Sequence, residues 1–316
     1  MESQARIQTS IMRWQAKCLI DNCKGMLPFQ AKLRALKRKI VPYQPSLSRG
    51  AYAIEEGAIQ IRWLSEALGT LERKTVLEIG SGWEPLIPLL FSLCRAGRVY
   101  LTDLTCLLDK DTLRGAVQIF ASNEDRILKT LNIDPLDFAS TFQREPSSAA
   151  DFLEQHRFTN LAPCGCRHLD LPGSILDIVT SRSVFEHIPP SIIEEILRES
   201  YRLLKPGGLM CHFIDNSDHW EHGDKRITRV NFLRFGDRAF RLTHLNSLNY
   251  HNRLRHTEYV EMLQKCGFEL LRAERTIDAR SLAAIATLPL APRFQRFDAE
   301  ELATVDSRLL ARKPLN

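Results

Sequence analysis

The sequence predicts an α/β fold: a parallel sheet with helices on both of its faces. Three observations carry that expectation. From Lys74 onward, short runs rich in Val, Ile and Leu alternate with stretches of helical periodicity, the pattern of strand–helix–strand units. One such run, Val76-Leu77-Glu78-Ile79, ends in Gly80-Ser81-Gly82 and opens onto an apolar helical stretch. An acid, Asp103, closes the next run about 20 residues later, the position that faces a ribose diol in doubly wound sheets.

Along the chain, residues 52–69 read as a helix ended by Gly69. Strands are expected at 75–79, 98–102, 161–167, 175–180, 208–214 and 268–274, and a late extra one at 304–313. Helices fit at 85–95, 110–121, 190–204 and 256–266. Pro85 suits the first turn of its helix, where no N–H partner is needed. Leu204-Lys205-Pro206-Gly207-Gly208 reads as a helix end, a turn and a strand start. Two connections are too long for simple loops, 104–160 and 215–255, and long connections tend to carry function. Pro135, Pro146, Ser147 and Ser148 suggest a loose middle for the first.

The chain has 316 residues, 44% hydrophobic and 26% charged, which fits one large globular domain with an appendage. No apolar run approaches the ~18 residues of a membrane span. The N-terminus lacks the apolar core of a secretory signal. Eight scattered cysteines read as reduced thiols, so a cytoplasmic location is expected. Net charge is +5, but residues 1–50 hold ten Lys/Arg against two Asp/Glu. The remainder holds 33 against 36. This divides the chain into a basic helical arm, 1–50, and a near-neutral domain, 51–316. The arm could bind phosphates, lie on an anionic membrane surface or pack as a solvated helix. Ile11, Trp14, Leu19 and Met26 give it an apolar side, which favours packing or membrane contact over nucleic acid.

A Gly-x-Gly turn alone is weak evidence, and Pro85 stands where a pyrophosphate-binding loop would carry its third glycine. The rest of the chain is more specific. Glu78-x-Gly80-x-Gly82, Asp103, His168-Leu169-Asp170-Leu171-Pro172, Leu176-Asp177-Ile178-Val179-Thr180-Ser181 through Phe185-Glu186-His187-Ile188, and Leu204-Lys205-Pro206-Gly207-Gly208 follow in that order. The series resembles the class I S-adenosylmethionine-dependent methyltransferases, particularly their type 11 group, over about residues 74–214. The resemblance implies a Rossmann-like seven-stranded methyltransferase sheet, with the N-terminal arm and two cap insertions added to it. It implies S-adenosylmethionine as cofactor, with Glu78, Gly80, Ser81 and Gly82 under its methionine part and Asp103 on the ribose hydroxyls. Asp170 then falls near the adenine amino group, and Ser181 faces the methionine moiety and the acceptor. Trp83-Glu84-Pro85 departs from the small residues common at that place.

Tyr201 and Lys205 share a helix face, the spacing short-chain dehydrogenases use for proton delivery. Those enzymes also need a longer glycine pattern than Gly80-Ser81-Gly82 supplies, so an NAD(P)-dependent oxidoreductase is the weaker alternative. A second alternative is a non-catalytic partner of the same fold acting through the basic arm. Base methylation of nucleic acid is disfavoured, because Ser181-Arg182-Ser183-Val184 stands where an Asp/Asn-Pro-Pro-aromatic stretch would be expected.

Chemistry toward the acceptor falls on residues 211–222, at the carboxyl end of the fifth strand. Methyl transfer is an in-line displacement in which positioning matters most. A hydroxyl acceptor also needs a base. His219 backed by Asp215 or Asp218 is the candidate, for a small-molecule or glycan acceptor. The same segment offers a divalent-metal reading from Asp215, Asp218, His219 and His222, and a purely self-capping polar loop. No metal is assigned. Glu186-His187 reads as a locally hydrogen-bonded pair at a helix start rather than a base. Asn231–Phe235 and Asn249–Arg255 suit either a polar, ring-shaped ligand or a cap closing over the crevice, and the cap is favoured.

Overall fold

A computed structural model describes residues 13–26, 43–142, 147–246 and 250–315. Its frame is a seven-stranded sheet in the order β3-β2-β1-β4-β5-β7-β6. The strands are β1 (Thr75–Ile79), β2 (Arg98–Thr102), β3 (Phe158–Asn160), β4 (Leu176–Arg182), β5 (Leu204–Asp215), β6 (Glu269–Ile277) and β7 (Thr304–Arg312). β1 to β5 run parallel, and β7 inserts antiparallel between β5 and β6. Strand order reverses between β1 and β4, so a crevice opens at their carboxyl ends. The central strands are buried on both faces, which is why they read as continuous apolar runs rather than alternating ones.

Helix α1 (Trp14–Met26) precedes α2 (Leu47–Leu68), and α3 (Leu86–Leu93) follows β1. α2 starts five residues before the sequence expectation, with Ser46 at the N-cap position but its side chain making no cap hydrogen bond. Gly69, at φ 77°, ends it as expected. α3 is apolar nearly throughout and packs beside α2, with Leu89, Leu90 and Phe91 fully buried.

The expected strand at 161–167 is instead Phe158–Asn160. Phe158 is buried beside Phe152 and His156, and Pro163 and Gly165 break the run that follows. The chain turns at once, with Ala162 N–H donating to the Asn160 side chain. The first long connection is also more ordered than its composition suggests. It holds α4 (Lys110–Ala121), α5 (Glu124–Leu131), α6 (Pro135–Phe142) and α7 (Ala149–Gln155). Asp109 and Thr112 close a capping box on α4. Pro135 opens α6 rather than loosening it, and Ser148 caps α7 through Asp151 N–H. Pro146 lies outside the described residues. Phe120, Phe138, Phe142 and Phe152 bind these helices into the main core.

α8 (Pro190–Leu203) and α10 (His256–Lys265) cover the opposite face. The second long connection, expected to cap the crevice, packs as a small unit of its own (the cap region) with α9 (Asp237–Thr243) in it, and its residue on the crevice is Asp215. The segment between β6 and β7, with α11 (Ala279–Ile285) and α12 (Ala299–Leu302), completes it, a contribution the sequence reading missed. Phe232, Leu233, Phe240, Ile285 and Phe294 form a separate small core there. Arg253 lies over the Phe240 and Phe294 rings, at 4.0 and 5.0 Å, and donates to the Phe232 carbonyl. Arg255 is fully buried and donates to the carbonyls of Asn216 and Thr304. The aromatic and arginine pattern of this stretch therefore builds the cap.

α1 docks on the cap. Trp14 N–H donates to Asp224, and Asn22 bridges the Leu242 carbonyl and Leu245 N–H. Trp14 packs near Phe235, whereas Leu19 stays 65% exposed. Ile11 and most of the basic stretch of the arm lie outside the described residues. No described helix is long and apolar enough to cross a membrane.

Candidate active site

The crevice at the switch point encloses about 1130 Å³. Its floor is the turn after β1. Gly80 and Gly82 both take positive φ, 74° and 66°. Gly80 has no room for a side chain, since a Cβ there would sit 2.5 Å from Val184 Cγ2. The N–H groups of Gly80 and Ser81 both donate to the Thr102 carbonyl, tying the turn to β2. Gly82 N–H donates to Asp103 Oδ2 at 3.2 Å, and Thr105 N–H to Oδ1 at 3.0 Å. Asp103 thus braces the loop.

Glu78 sits beneath that turn and lines the crevice, yet it is 2% exposed. Its Oε2 has no hydrogen-bond partner among the described residues. Burial pushes its carboxyl up to about 8, against the opposing pull of Arg182, so it is held neutral at pH 7. A buried acid with a free oxygen at a crevice floor is arranged to receive a cation or a donor.

The roof comes from a segment the sequence reading left in the arm. Tyr43 and Ser46, just before α2, and Arg49 in its first turn line the crevice from that segment, beside Tyr52 of the expected helix. Tyr43 stacks on Trp83 at 6.4 Å and donates from its hydroxyl to Glu84. This gives the unusual Trp83-Glu84 pair a place in the crevice mouth. The signal for this roof was Ser46, an N-cap residue type just before the helix start.

The far wall is built from the ends of β4 and β5: Arg182, Ser183, Val184, His187 and Asp215. His219 Nε2 lies 3.4 Å from Asp215 Oδ2, close enough for a charge interaction but not aligned as a hydrogen bond. His222 Nε2 is 3.9 Å from the same oxygen. Burial pushes the Asp215 carboxyl up, but His219 and the Ser217 hydrogen bonds outweigh it and hold it well below the usual range. Asp218 points elsewhere. It is 2% exposed, accepts from Trp220 N–H and the Asn231 amide, and burial raises it to about 6. It shapes the turn after β5 and does not back His219.

The structure therefore brings Glu78, Gly80, Ser81, Gly82 and Asp215 to one crevice, with His219 behind Asp215. Asp103 stands behind Gly82 and Asp170 is exposed. Ser181 is fully buried, with Oγ 2.7 Å from His212 Nδ1, so its side chain faces inward. Tyr201 packs against Phe268, and Lys205 pairs with Asp177 at 2.9 Å. Both lie at the opposite end of the sheet from the crevice, since Lys205 opens β5 and Asp215 closes it.

A family model described as a methyltransferase domain matches residues 52–273. The chain belongs to that family. No curated protein matches this methyltransferase. Among solved structures, it is similar to a Burkholderia thailandensis 1,6-didemethyltoxoflavin-N1-methyltransferase with bound 1,6-didemethyltoxoflavin and S-adenosylhomocysteine. That match has 16% identity over 83% of this chain and 78% of the other, at TM-score 0.43. It is also similar to an S-adenosylmethionine-dependent methyltransferase of Methanosarcina mazei, at 15% identity over 78% of this chain and 94% of the other, TM-score 0.41. At such low identities and scores, the family model carries the membership.

S-adenosylmethionine is the cofactor of this methyltransferase family. The crevice fits it. The unpartnered Glu78 oxygen suits an ammonium group, and the side-chain-free backbone at Gly80 and Gly82 permits close approach. When bound, the cofactor supplies an electrophilic methyl group on its sulfonium. The protein's task is to hold an acceptor in line with that methyl and to accept any proton released.

Proposed function

We propose that this methyltransferase acts on a hydroxyl group of a small molecule or glycan intermediate. The Asp215–His219 pair carries the reading: a carboxylate on the crevice wall with an imidazole 3.4 Å behind it, across from the glycine loop. Asp215 stands between the crevice and the imidazole, so in this reading the acceptor's proton passes through Asp215 to His219 behind it. Arg182, Arg49 and Tyr52 give the same space polar and aromatic lining suited to a hydroxylated ligand. Glu78, Gly80, Ser81 and Gly82 hold the cofactor. Asp103 reaches the ribose from beside Gly82, and Asp170 flanks the adenine from the loop before β4. Eight free thiols, Cys164 and Cys166 among them, support a cytoplasmic location. The basic arm, with α1 docked on the cap, is the segment available for contact with an anionic membrane.

The test is calorimetric titration of the whole chain with S-adenosylhomocysteine, with Asp103→Ala as control and NADH in parallel. Micromolar binding lost in the variant is expected, followed by methyl transfer to hydroxylated acceptors that His219→Ala slows about 10²–10⁴-fold. Absence of binding to the wild type would overturn the catalytic reading and direct attention to partners of the arm. Activity on amines that His219→Ala leaves intact would overturn the hydroxyl assignment.

A further inference from the structure

Beyond Asp215, the far wall of the crevice gathers an unusual number of donors. Glu186 and His187 sit in the short turn after β4, and His219 follows β5. One ligand atom from each of these three side chains lies within 4.8 Å of the other two. Glu186 is 1% exposed, and neither of its carboxylate oxygens has a hydrogen-bond partner among the described residues. A buried carboxylate left so bare is costly unless something cationic meets it. His187 is oriented as metal-ligating histidines commonly are. Its Nδ1 donates to the Tyr250 carbonyl at 2.9 Å, which leaves Nε2 with its lone pair free. His219 Nε2 is also buried and without a hydrogen-bond partner among the described residues.

We propose that Glu186, His187 and His219 bind one divalent transition-metal ion at the wall of the crevice. Two imidazoles and one carboxylate suit Zn²⁺, Co²⁺, Fe²⁺ or Mn²⁺ rather than Mg²⁺ or Ca²⁺, which prefer oxygen ligands. Three protein ligands leave at least one coordination position open, the arrangement of reactive sites rather than of closed structural ones. His187, the exposed member of the three, lines the crevice, which places the ion beside the space an acceptor would enter. The set differs from the one the sequence suggested. Asp218 is committed to its own turn, His222 stands outside the three, and Glu186 enters from another strand end.

The inference does not rest on the hydroxyl reading, because it is measured without cofactor or acceptor. If both hold, His219 serves as ligand while the ion is bound. Asp215, the carboxylate beside it, is then left to take the acceptor's proton.

The experiment uses the whole, tag-free chain stripped with a chelator. Co²⁺ is titrated and followed by its visible absorption, Zn²⁺ is added in competition, and metal content is measured after dialysis. About one ion per chain is expected, with Glu186→Gln and His187→Ala each weakening Co²⁺ by at least about tenfold. His187 is exposed, so its variant tests the site even where Glu186→Gln disturbs folding, and circular dichroism checks both. His222→Ala should bind as the wild type does. No retained metal, or retention unchanged by Glu186→Gln and His187→Ala, would overturn the proposal.

Discussion

The two glycines of the loop after β1 make a paired experiment. Each has positive φ, so alanine at either position pays a left-handed backbone cost of about 1–2 kcal/mol, part of it offset by a less flexible unfolded chain. At Gly82 nothing lies within 4 Å of the added Cβ, so the total should stay near 1 kcal/mol. At Gly80 the Cβ would meet Val184 at 2.5 and 3.1 Å. Relieving that overlap by shifting β-branched Val184 or the backbone adds about 1–3 kcal/mol. Gly80→Ala should therefore cost about 2–4 kcal/mol in urea unfolding, clearly more than Gly82→Ala. Val184→Ala in the Gly80→Ala background should recover much of the difference, giving a coupling of about 1–3 kcal/mol. Equal costs for the two glycines, or no recovery with Val184→Ala, would refute the claim that Val184 forces Gly80 to be bare.

Two predictions concern titration. Glu78, raised to about 8, is neutral at pH 7, and a ligand ammonium beside it favours its charged form. Binding of S-adenosylhomocysteine should then release close to one proton at pH 7 and tighten as pH rises toward 8. Titrations in buffers of different ionisation heat measure this, and Glu78→Gln should abolish the release. His156 is buried among Phe142, Phe152 and Phe158, and burial lowers it to about 4. As pH falls below about 6.5 the unfolded chain takes a proton that the folded chain refuses, so stability drops by about 1.4 kcal/mol per unit until pH 4. Between pH 7 and 4.5 the wild type should lose about 2–3 kcal/mol more than His156→Gln in urea unfolding.

The parallel core of the fold was legible because buried strands and amphipathic helices leave periodic traces. TVLEI at β1 and TVDSRLLAR at β7 carried enough apolar signal to be read directly. β3 was misplaced because three residues of extended chain carry no period, and its identity comes from Phe158 packing against α7. The turn after β1 was legible from its glycines, whose need for positive φ is written in residue type. The far wall was less so. Asp215 and His219 are close in sequence and were paired on that ground. Asp218, equally close, turned inward because its carboxylate caps the turn holding Trp220. Glu186 and His187 meet His219 only through the parallel alignment of β4 and β5, where Arg182 pairs with Phe213. Arg253 and Arg255, in a stretch that suited either a polar, ring-shaped ligand or a cap, are spent on carbonyls and rings of the cap region.

Glu78, at the crevice floor, and Glu186, in the turn after β4, pose the same physical question. Each is buried, each has an oxygen without a partner among the described residues, and burial raises both above the usual carboxylate range, with Arg182 opposing in each case. A structural acid would hold its charge through hydrogen bonds, and losing it would cost about 3–5 kcal/mol. A neutral acid kept bare for a ligand contributes no such bonds. Replacing it with an uncharged amide of the same shape should change urea stability at pH 7 by no more than about 1 kcal/mol. Ligand-linked stabilisation should behave oppositely. At a hundredfold excess over Kd, a ligand of the native state adds about 2.7 kcal/mol. Glu78→Gln should lose that gain for S-adenosylhomocysteine and Glu186→Gln for Zn²⁺, each leaving the other ligand's effect in place. A loss of several kcal/mol in either unliganded variant would instead make that carboxylate part of the scaffold.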